Sequence, residues 1–350
     1  MICIFIVNSM KTNRNAFFFI LATAALVTLF LINLGLGSVS IPVDTILSGL
    51  FTGDWEKSSH REIILNYRFP KSLVAVMAGI ALSLSGLQMQ TFFRNPLAGP
   101  YVLGISSGGG FGVAILLLAG SFLGFSGMVI SSWATAIAGI LGAVSVLALV
   151  SLVAWRVRDS MTLLIVGIMF GAAVSAIISV LSFFSEAEAL KLYTIWSMGS
   201  LGGLGWNQVG LLGLLLVIGS FPLVLATRSF NALLLGETYS ESMGINPVRL
   251  RWLVIISTGI LAGSITAFCG PIAFVGIAVP HLARLVWKSA DHRILFPGSA
   301  LLGAGLLLLC DTIGQLPGSA QTLPINAVTS LVGAPVVIAL VLKRNFSKEF

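Results

Sequence analysis

The chain alternates long apolar runs with short polar interruptions. Ten runs, at 16–36, 72–93, 102–123, 129–154, 162–184, 208–226, 252–269, 272–287, 295–313 and 325–342, predict helices. Each approaches the roughly 20 apolar residues that span a bilayer. Pro271 and Pro280 interrupt the eighth run. The first follows Lys11 and Arg14 as a signal peptide would. It is too long for a signal core and lacks a small-residue cleavage site, so it reads as a retained span. Met10 opens a more conventional start, MKTNRN, and residues 1–9 read as an upstream extension.

The polar interruptions differ in character. Residues 228–251 read RSFNALLLGETYSESMGINPVRLR. Glu237 and Glu241 are four apart and share one face of a short helix, with Leu233, Leu234, Leu235 and Met243 available to cover the other. Gly236 and Gly244 bracket that helix, and Pro247 opens the next. On spacing alone this is either a knob presented outside the membrane or a solvated connector. The longest interruption, 38–67, carries Asp44, Asp54, Glu56 and Glu62 and predicts a short surface helix over Asp44–Leu50. A further segment, 186–206, holds Trp196 and Trp206, as expected at a membrane interface.

Small residues crowd 78–86, 103–112 and 261–270. They let helix backbones approach in lipid. The run Ser106-Ser107-Gly108-Gly109-Gly110 exceeds that need and follows Pro96 and Pro100, which break the helix at the membrane face. Irregular backbone at that depth is tolerated only when buried or beside a water-filled cavity. Ser106, Ser107 and Gly108 are therefore candidates to line a passage. Ala78-Gly79 and Gly86 recur as Ala262-Gly263 and Gly270, while Pro96-Leu97-Ala98 matches Pro271-Ile272-Ala273 at a different offset. This hints at duplicated halves.

Composition narrows the class. Hydrophobic residues make up 57% and charged residues 9% of the 350 residues, against about 25% charge in soluble domains. The reading is one polytopic all-α membrane domain over 1–350, without linker or low-complexity tract. The net charge of +7 looks like a nucleic-acid signal until it is mapped. With residues 1–15 inside, the inner loops hold fourteen Lys and Arg and the outer loops five. The positive-inside rule accounts for that distribution and places both termini in the cytoplasm. It makes 38–71 an outer segment and 228–251 a cytoplasmic loop. Cys3, Cys269 and Cys310 are scattered, and His60, His281 and His292 lack ligand spacing. Neither a disulfide framework nor a metal or other cofactor is predicted.

Enzyme readings find no purchase. No GxxxxGK[ST] loop occurs, so any ATP must be hydrolysed by another chain. An intramembrane enzyme would need paired acids, a Ser/His pair or a metal set. An ion-coupled secondary transporter would need ionisable groups at mid-membrane. Asp311 is the sole candidate and lies at a span end beside Thr312 and Gln315, where capping or solvent contact also explains it. His281 and Arg284 in PHLAR read as structural, Arg94 as a positive-inside charge, and Phe92 and Tyr101 as interfacial aromatics.

Five ordered stretches, RFPKSLVAVMAGIALSLSGLQMQTFFRNPLAGPYVLGISSGGGFG (68–112), LLLGETYSESMGI (233–245), GPIAFVGIAVPHLARL (270–285), DHRILFPGSALLGA (291–304) and LPINAVTSLVGAPVVIALVLKR (323–344), resemble the FecCD-type permeases. These are membrane subunits of bacterial ABC importers for iron–siderophores, haem and cobalamin. The resemblance covers about residues 15–344. It implies the type II importer permease fold, with about ten helices and inverted repeats. It also implies a second permease subunit (identical or not), two cytoplasmic ATPases, an extracytoplasmic binding protein and an inner-membrane location. Iron–siderophore is the expected cargo, with cobalamin or haem as alternatives. Carried over residue by residue, Asn95-Pro96-Leu97 with Ser160 and Met161 correspond to the gate. Gly236, Glu237, Glu241 and Gly244 correspond to the ATPase-coupling loop. Arg68 and Lys71 correspond to the basic pair that meets the binding protein. The fifth run, with Met169, corresponds to a pathway-lining helix. Gln315 departs from the family's common Arg and removes one docking charge.

Overall fold

The computed structural model describes residues 2–119, 131–156, 160–315 and 322–342, with side chains described from Arg14 onward except at Ser160, Glu237, Leu340 and Val341. Arg158, Lys343, Arg344, Lys348 and the end of the third run lie outside the described residues. The first half comprises α1 (Ile2–Gly35), α2 (Val43–Phe51), α3 (Ser58–Glu62), α4 (Phe69–Phe93), α5 (Ile105–Leu118), α6 (Ser132–Arg156) and α7 (Ser160–Phe184). Then come α8 (Ala187–Ser197), α9 (Trp206–Leu225), α10 (Thr227–Leu233), α11 (Glu237–Ser242), α12 (Pro247–Cys269), α13 (Val275–Trp287), α14 (His292–Gly314) and α15 (Ile325–Leu342). Among the described residues, seven helices are long and apolar enough to cross a membrane, and α5, α13 and α15 are shorter apolar helices. These ten occupy the ten predicted runs.

Burial sorts the helices. The most apolar windows of α3–α4 and α12 are 78% and 72% buried, against 11% in α1 and 17% in α7. So α4 and α12 form the centre, and α1 and α7 present apolar flanks. Packing repeats with a symmetry that explains the faint sequence duplication. Helix α4 packs on α14, α13 and α12, while α12 packs on α6, α5 and α4. Likewise α5 packs on α6 and α7, as α13 packs on α14 and α15. Pairing α4–α7 with α12–α15 in order reproduces every one of these neighbours. Four apolar helices, α5, α6, α7 and α9, lie between α4 and α12, so with each crossing the membrane the two groups run oppositely, as inverted repeats do.

Glycine sets the closest approaches. A Cβ on Gly86 would strike the Gly276 backbone, and one on Gly79 the Gly303 backbone, so α13 and α14 both lie directly against α4. Without a hydrophobic drive between helices in lipid, such close backbone contact supplies the packing.

Several boundaries differ from expectation. The second span begins at Ser58 and passes through a π-helical turn, Ile63–Arg68, before α4. The third starts only at Ile105, after a 3-10 turn at Pro100–Leu103. The eighth starts at Val275, after an extended stretch in which Phe274 has a φ of 67°. Pro271 falls in that stretch, and Pro280 lies inside α13. The 186–206 segment carries the unanticipated helix α8. The surface helix foreseen at Asp44–Leu50 is α2.

Candidate functional site

Arg68 and Arg94 flank helix α4, and these residues mark the two ends of the bundle. At the Arg94 end, α4 stops because Arg94 turns left-handed, with φ 46° and ψ 36°. Asn95 Oδ1 then accepts from the Leu97 amide at 2.9 Å, closing an Asx turn that Pro96 continues. The loop is braced from α13, where His281 Nε2 lies 3.1 Å from the Pro96 carbonyl. Arg284 donates to Gln90 Oε1 at 2.8 Å, and Gln90 Nε2 donates to the Ile277 carbonyl at 3.1 Å. Leu97 is 44% exposed at the tip. The gate candidates Asn95, Pro96 and Leu97 thus form a short, pinned turn with one exposed apolar side chain, while Ser160 and Met161 open α7.

The coupling candidates lie at the same end. Gly236 opens α11 with φ 118°, and Gly244 closes it with φ 81°. The Gly244 amide donates to the Glu241 carbonyl at 2.9 Å and Ile245 N to the Ser240 carbonyl at 3.1 Å, a glycine-dependent helix stop. Asn246 Oδ1 caps α12 by accepting from Val248 N at 3.0 Å and Arg249 N at 3.1 Å. Leu235, Tyr239, Met243 and Val248 are all more than half exposed. Glu241 is exposed and Ser240 buried. The unit is an amphipathic projection held by backbone geometry.

Sequence reasoning missed the joint beneath this unit. His292 Nε2 lies 2.8 Å from Thr91 Oγ1 on α4, and Nδ1 lies 2.8 Å from Asn231 Oδ1 on α10. An amide oxygen only accepts, so Nδ1 carries the proton and Nε2 accepts from Thr91. Asn231 Nδ2 donates to Asp291 Oδ1 at 2.7 Å, and the ring stacks on Phe230 at 5.5 Å. Arg94 Nη2 reaches the Leu233 carbonyl at 3.5 Å. So α10, which leads into α11, is tied to α14 and to the end of α4 that carries the gate turn. Only the polar residues in DHR and RSFN marked this in the sequence.

The pathway candidates separate. Met169 on α7 is 58% exposed, in a helix whose apolar surface is largely uncovered, and the gate candidate Met161 on the same helix is 53% exposed. Ser106 and Ser107 are half-buried. Gly108 is buried, and a Cβ there would lie 2.6 Å from the Gly142 carbonyl on α6, so close packing occupies that position. Tyr101 is no belt residue, since its hydroxyl accepts from Ile272 N at 3.2 Å. Phe92 is 5% exposed, in the core.

At the Arg68 end, the paired bases line one pocket but hold different partners. Arg68 donates to the carbonyls of Leu34 at 2.8 Å, Gly35 at 3.0 Å and Val39, satisfying acceptors left open at the end of α1. Lys71 Nζ lies 2.9 Å from Asp311 Oδ1. Asp311 Oδ2 also accepts from Asn33 Nδ2 at 3.0 Å and Gln315 Nε2 at 2.8 Å. Ser72 Oγ donates to Asn33 Oδ1 at 2.6 Å. One buried carboxylate therefore ties α1, α4 and α14 together, and Gln315 serves it internally. Lys57 and Arg61, just upstream, are exposed.

Among the described residues the chain is an all-helical bundle with broken helices, a projecting loop and enough apolar spans for a multi-pass membrane protein. The profile of the FecCD transport family matches residues 25–343, and the chain belongs to that family. It is 37% identical over 295 residues to the vitamin B12 import system permease protein BtuC of Citrobacter koseri, covering 84% of this chain and 87% of that protein. It is 36% identical over 297 residues to the BtuC of Salmonella typhi, covering 83% and 87%. A solved structure described as an inward-facing conformation of a metal-chelate type ABC transporter superposes with a TM-score of 0.82 at 30% identity, covering 93% of this chain and 99% of that one. PsaBC from Streptococcus pneumoniae in complex with Fab matches at TM-score 0.54 and 12% identity, a likeness of fold alone. The chain is an ABC importer permease of this family.

Proposed function

We propose that this chain forms the translocation path for a large metal chelate, moved inward across a bacterial plasma membrane with ATP hydrolysed by partner subunits. The observation that carries this reading is the joining of α10 to the gate turn. A projecting unit, α11, and a pinned turn at Asn95–Leu97 share one end of the bundle and are linked through His292, Thr91, Arg94 and Leu233. Force applied to α11 by a docked ATPase then reaches the turn through short polar contacts. The bare apolar face of α7 receives the second permease subunit across the pathway, with Met161 and Met169 toward it. Residues 38–71 face the outside and meet a binding protein. Exposed Lys57 and Arg61 supply charge there, while Arg68 and Lys71 shape the surface from within. Both termini lie in the cytoplasm under this orientation.

Within the chelate class, the names of the relatives favour cobalamin. The expectation of an iron–siderophore rests on how common such permeases are, and it keeps its place beside cobalamin. A photo-crosslinking amino acid at Tyr239, in the assembled transporter, tests the coupling assignment. It should capture the ATPase subunit, and Gly244→Val, which disturbs the turn that holds α11, should lower that yield. Capture of the binding protein instead would reverse the orientation and end the reading.

A further inference from the structure

A groove of about 640 Å³ opens between the end of α9, the start of α10 and the first turns of α14. Its walls are Val224, Leu225, Phe296 and Pro297, and its rim carries Arg228 and Arg293. The order along the membrane normal is informative. Val224 and Leu225 are 68% and 70% exposed and close a spanning helix, so they face acyl chains. Arg228 follows Leu225 by three residues, and Arg293 precedes Pro297 by four, so each cation sits about one turn beyond the apolar wall. Both arginines are exposed, and no ion pair to either occurs among the described residues.

We infer that this groove binds one anionic phospholipid, its phosphate between Arg228 and Arg293 and its acyl chains along Val224, Leu225 and Pro297. Two guanidinium groups give fixed forks for phosphate oxygens. Basic residues at a membrane surface attract anionic headgroups, and pockets between spans extend that attraction to single lipids. An acidic protein segment would satisfy the arginines, but it would leave the apolar wall to be covered by something else. The lipid satisfies both. The back of the groove is His292, the residue that joins α10 to α4. An occupied groove therefore braces the coupling joint. The inference needs only the membrane and is independent of the cargo.

The test uses the assembled transporter with its ATPase, in neutral detergent, by native mass spectrometry with added phosphatidylglycerol or phosphatidylcholine. Phosphatidylglycerol should be retained and phosphatidylcholine lost. The double variant Arg228→Gln, Arg293→Gln should weaken retention about 25-fold, from roughly fivefold per basic residue. Arg228→Lys with Arg293→Lys should keep most of it, and Arg156→Gln, an exposed base at the same end, should change nothing. Equal retention of the two lipids, or an unaffected Gln double variant, overturns the inference. So does displacement of the lipid by millimolar inorganic phosphate, which would make the groove a bare anion site. Loss of the ATPase subunit from the Gln variant with lipid retention unchanged assigns the arginines to a protein contact instead.

Discussion

Removing the Lys71 ammonium should destabilise the bundle. Asp311 has a side chain only 7% exposed, and Lys71 is 22% exposed at 2.9 Å from it. Lys71→Met keeps most of the aliphatic stem and leaves a buried carboxylate facing two amide donors, Asn33 and Gln315. Stranding one member of a buried pair costs about 3–5 kcal/mol. The two remaining hydrogen bonds and the partial exposure of Lys71 reduce this to about 2–3 kcal/mol. Asp311→Asn alone should cost about 1 kcal/mol, because the freed ammonium can turn toward water. The double variant then carries less damage than the sum, with a coupling free energy of about 2 kcal/mol. Unfolding midpoints of the four proteins in one detergent measure the cycle, and Lys71→Met should fall by about 4 °C. Binding-protein affinity at low salt should stay within a factor of about two of the parent. Additive single effects within about 0.5 kcal/mol, together with a salt-sensitive loss of binding-protein affinity, would refute the internal pair and return Lys71 to a docking role.

Three further outcomes follow from the geometry. Gly244→Val forces a branched side chain into a left-handed turn at φ 81° although nothing lies within 4 Å of its Cβ, so the chain should insert normally while uptake falls at least tenfold. Gly86→Val drives side-chain atoms into the Gly276 backbone, and the strain of about 3 kcal/mol or more should appear as loss of folded protein in size-exclusion chromatography. Leu97→Gly removes the apolar tip of the gate turn and should raise basal ATPase activity of the complex severalfold, while an unchanged basal rate would make the turn a mere connector.

The ten spans were readable because each carries its own hydropathy, a local property. The inverted halves were only faint, since matching residues had drifted to different offsets while the packing pattern stayed. The projection at α11 was legible from Gly236, Gly244 and the Glu spacing, which are local backbone and periodicity signals. Partnerships across the chain were not. Lys71 and Asp311 lie 240 residues apart, and the different partners of Arg68 and Lys71 come from α1 and α14, which their spacing on α4 could not show. Asp311 looked like an exposed cap from its position at a span end, and its burial came from α1 and α4 closing over it. His292 offered only its polarity in DHR as a signal, because its partners Asn231 and Thr91 belong to other helices. Tyr101 and Phe92 resembled interfacial aromatics because a membrane edge and a helix break look alike in sequence.

The most direct test of the central claim is uptake into sealed vesicles holding the assembled transporter, with the binding protein outside and ATP inside. Labelled cobalamin and a labelled ferric siderophore are offered in parallel. One chelate should accumulate only when ATP and binding protein are both present, and collapsing proton and sodium gradients should change nothing. Accumulation driven by an ion gradient in the absence of ATP would contradict that claim.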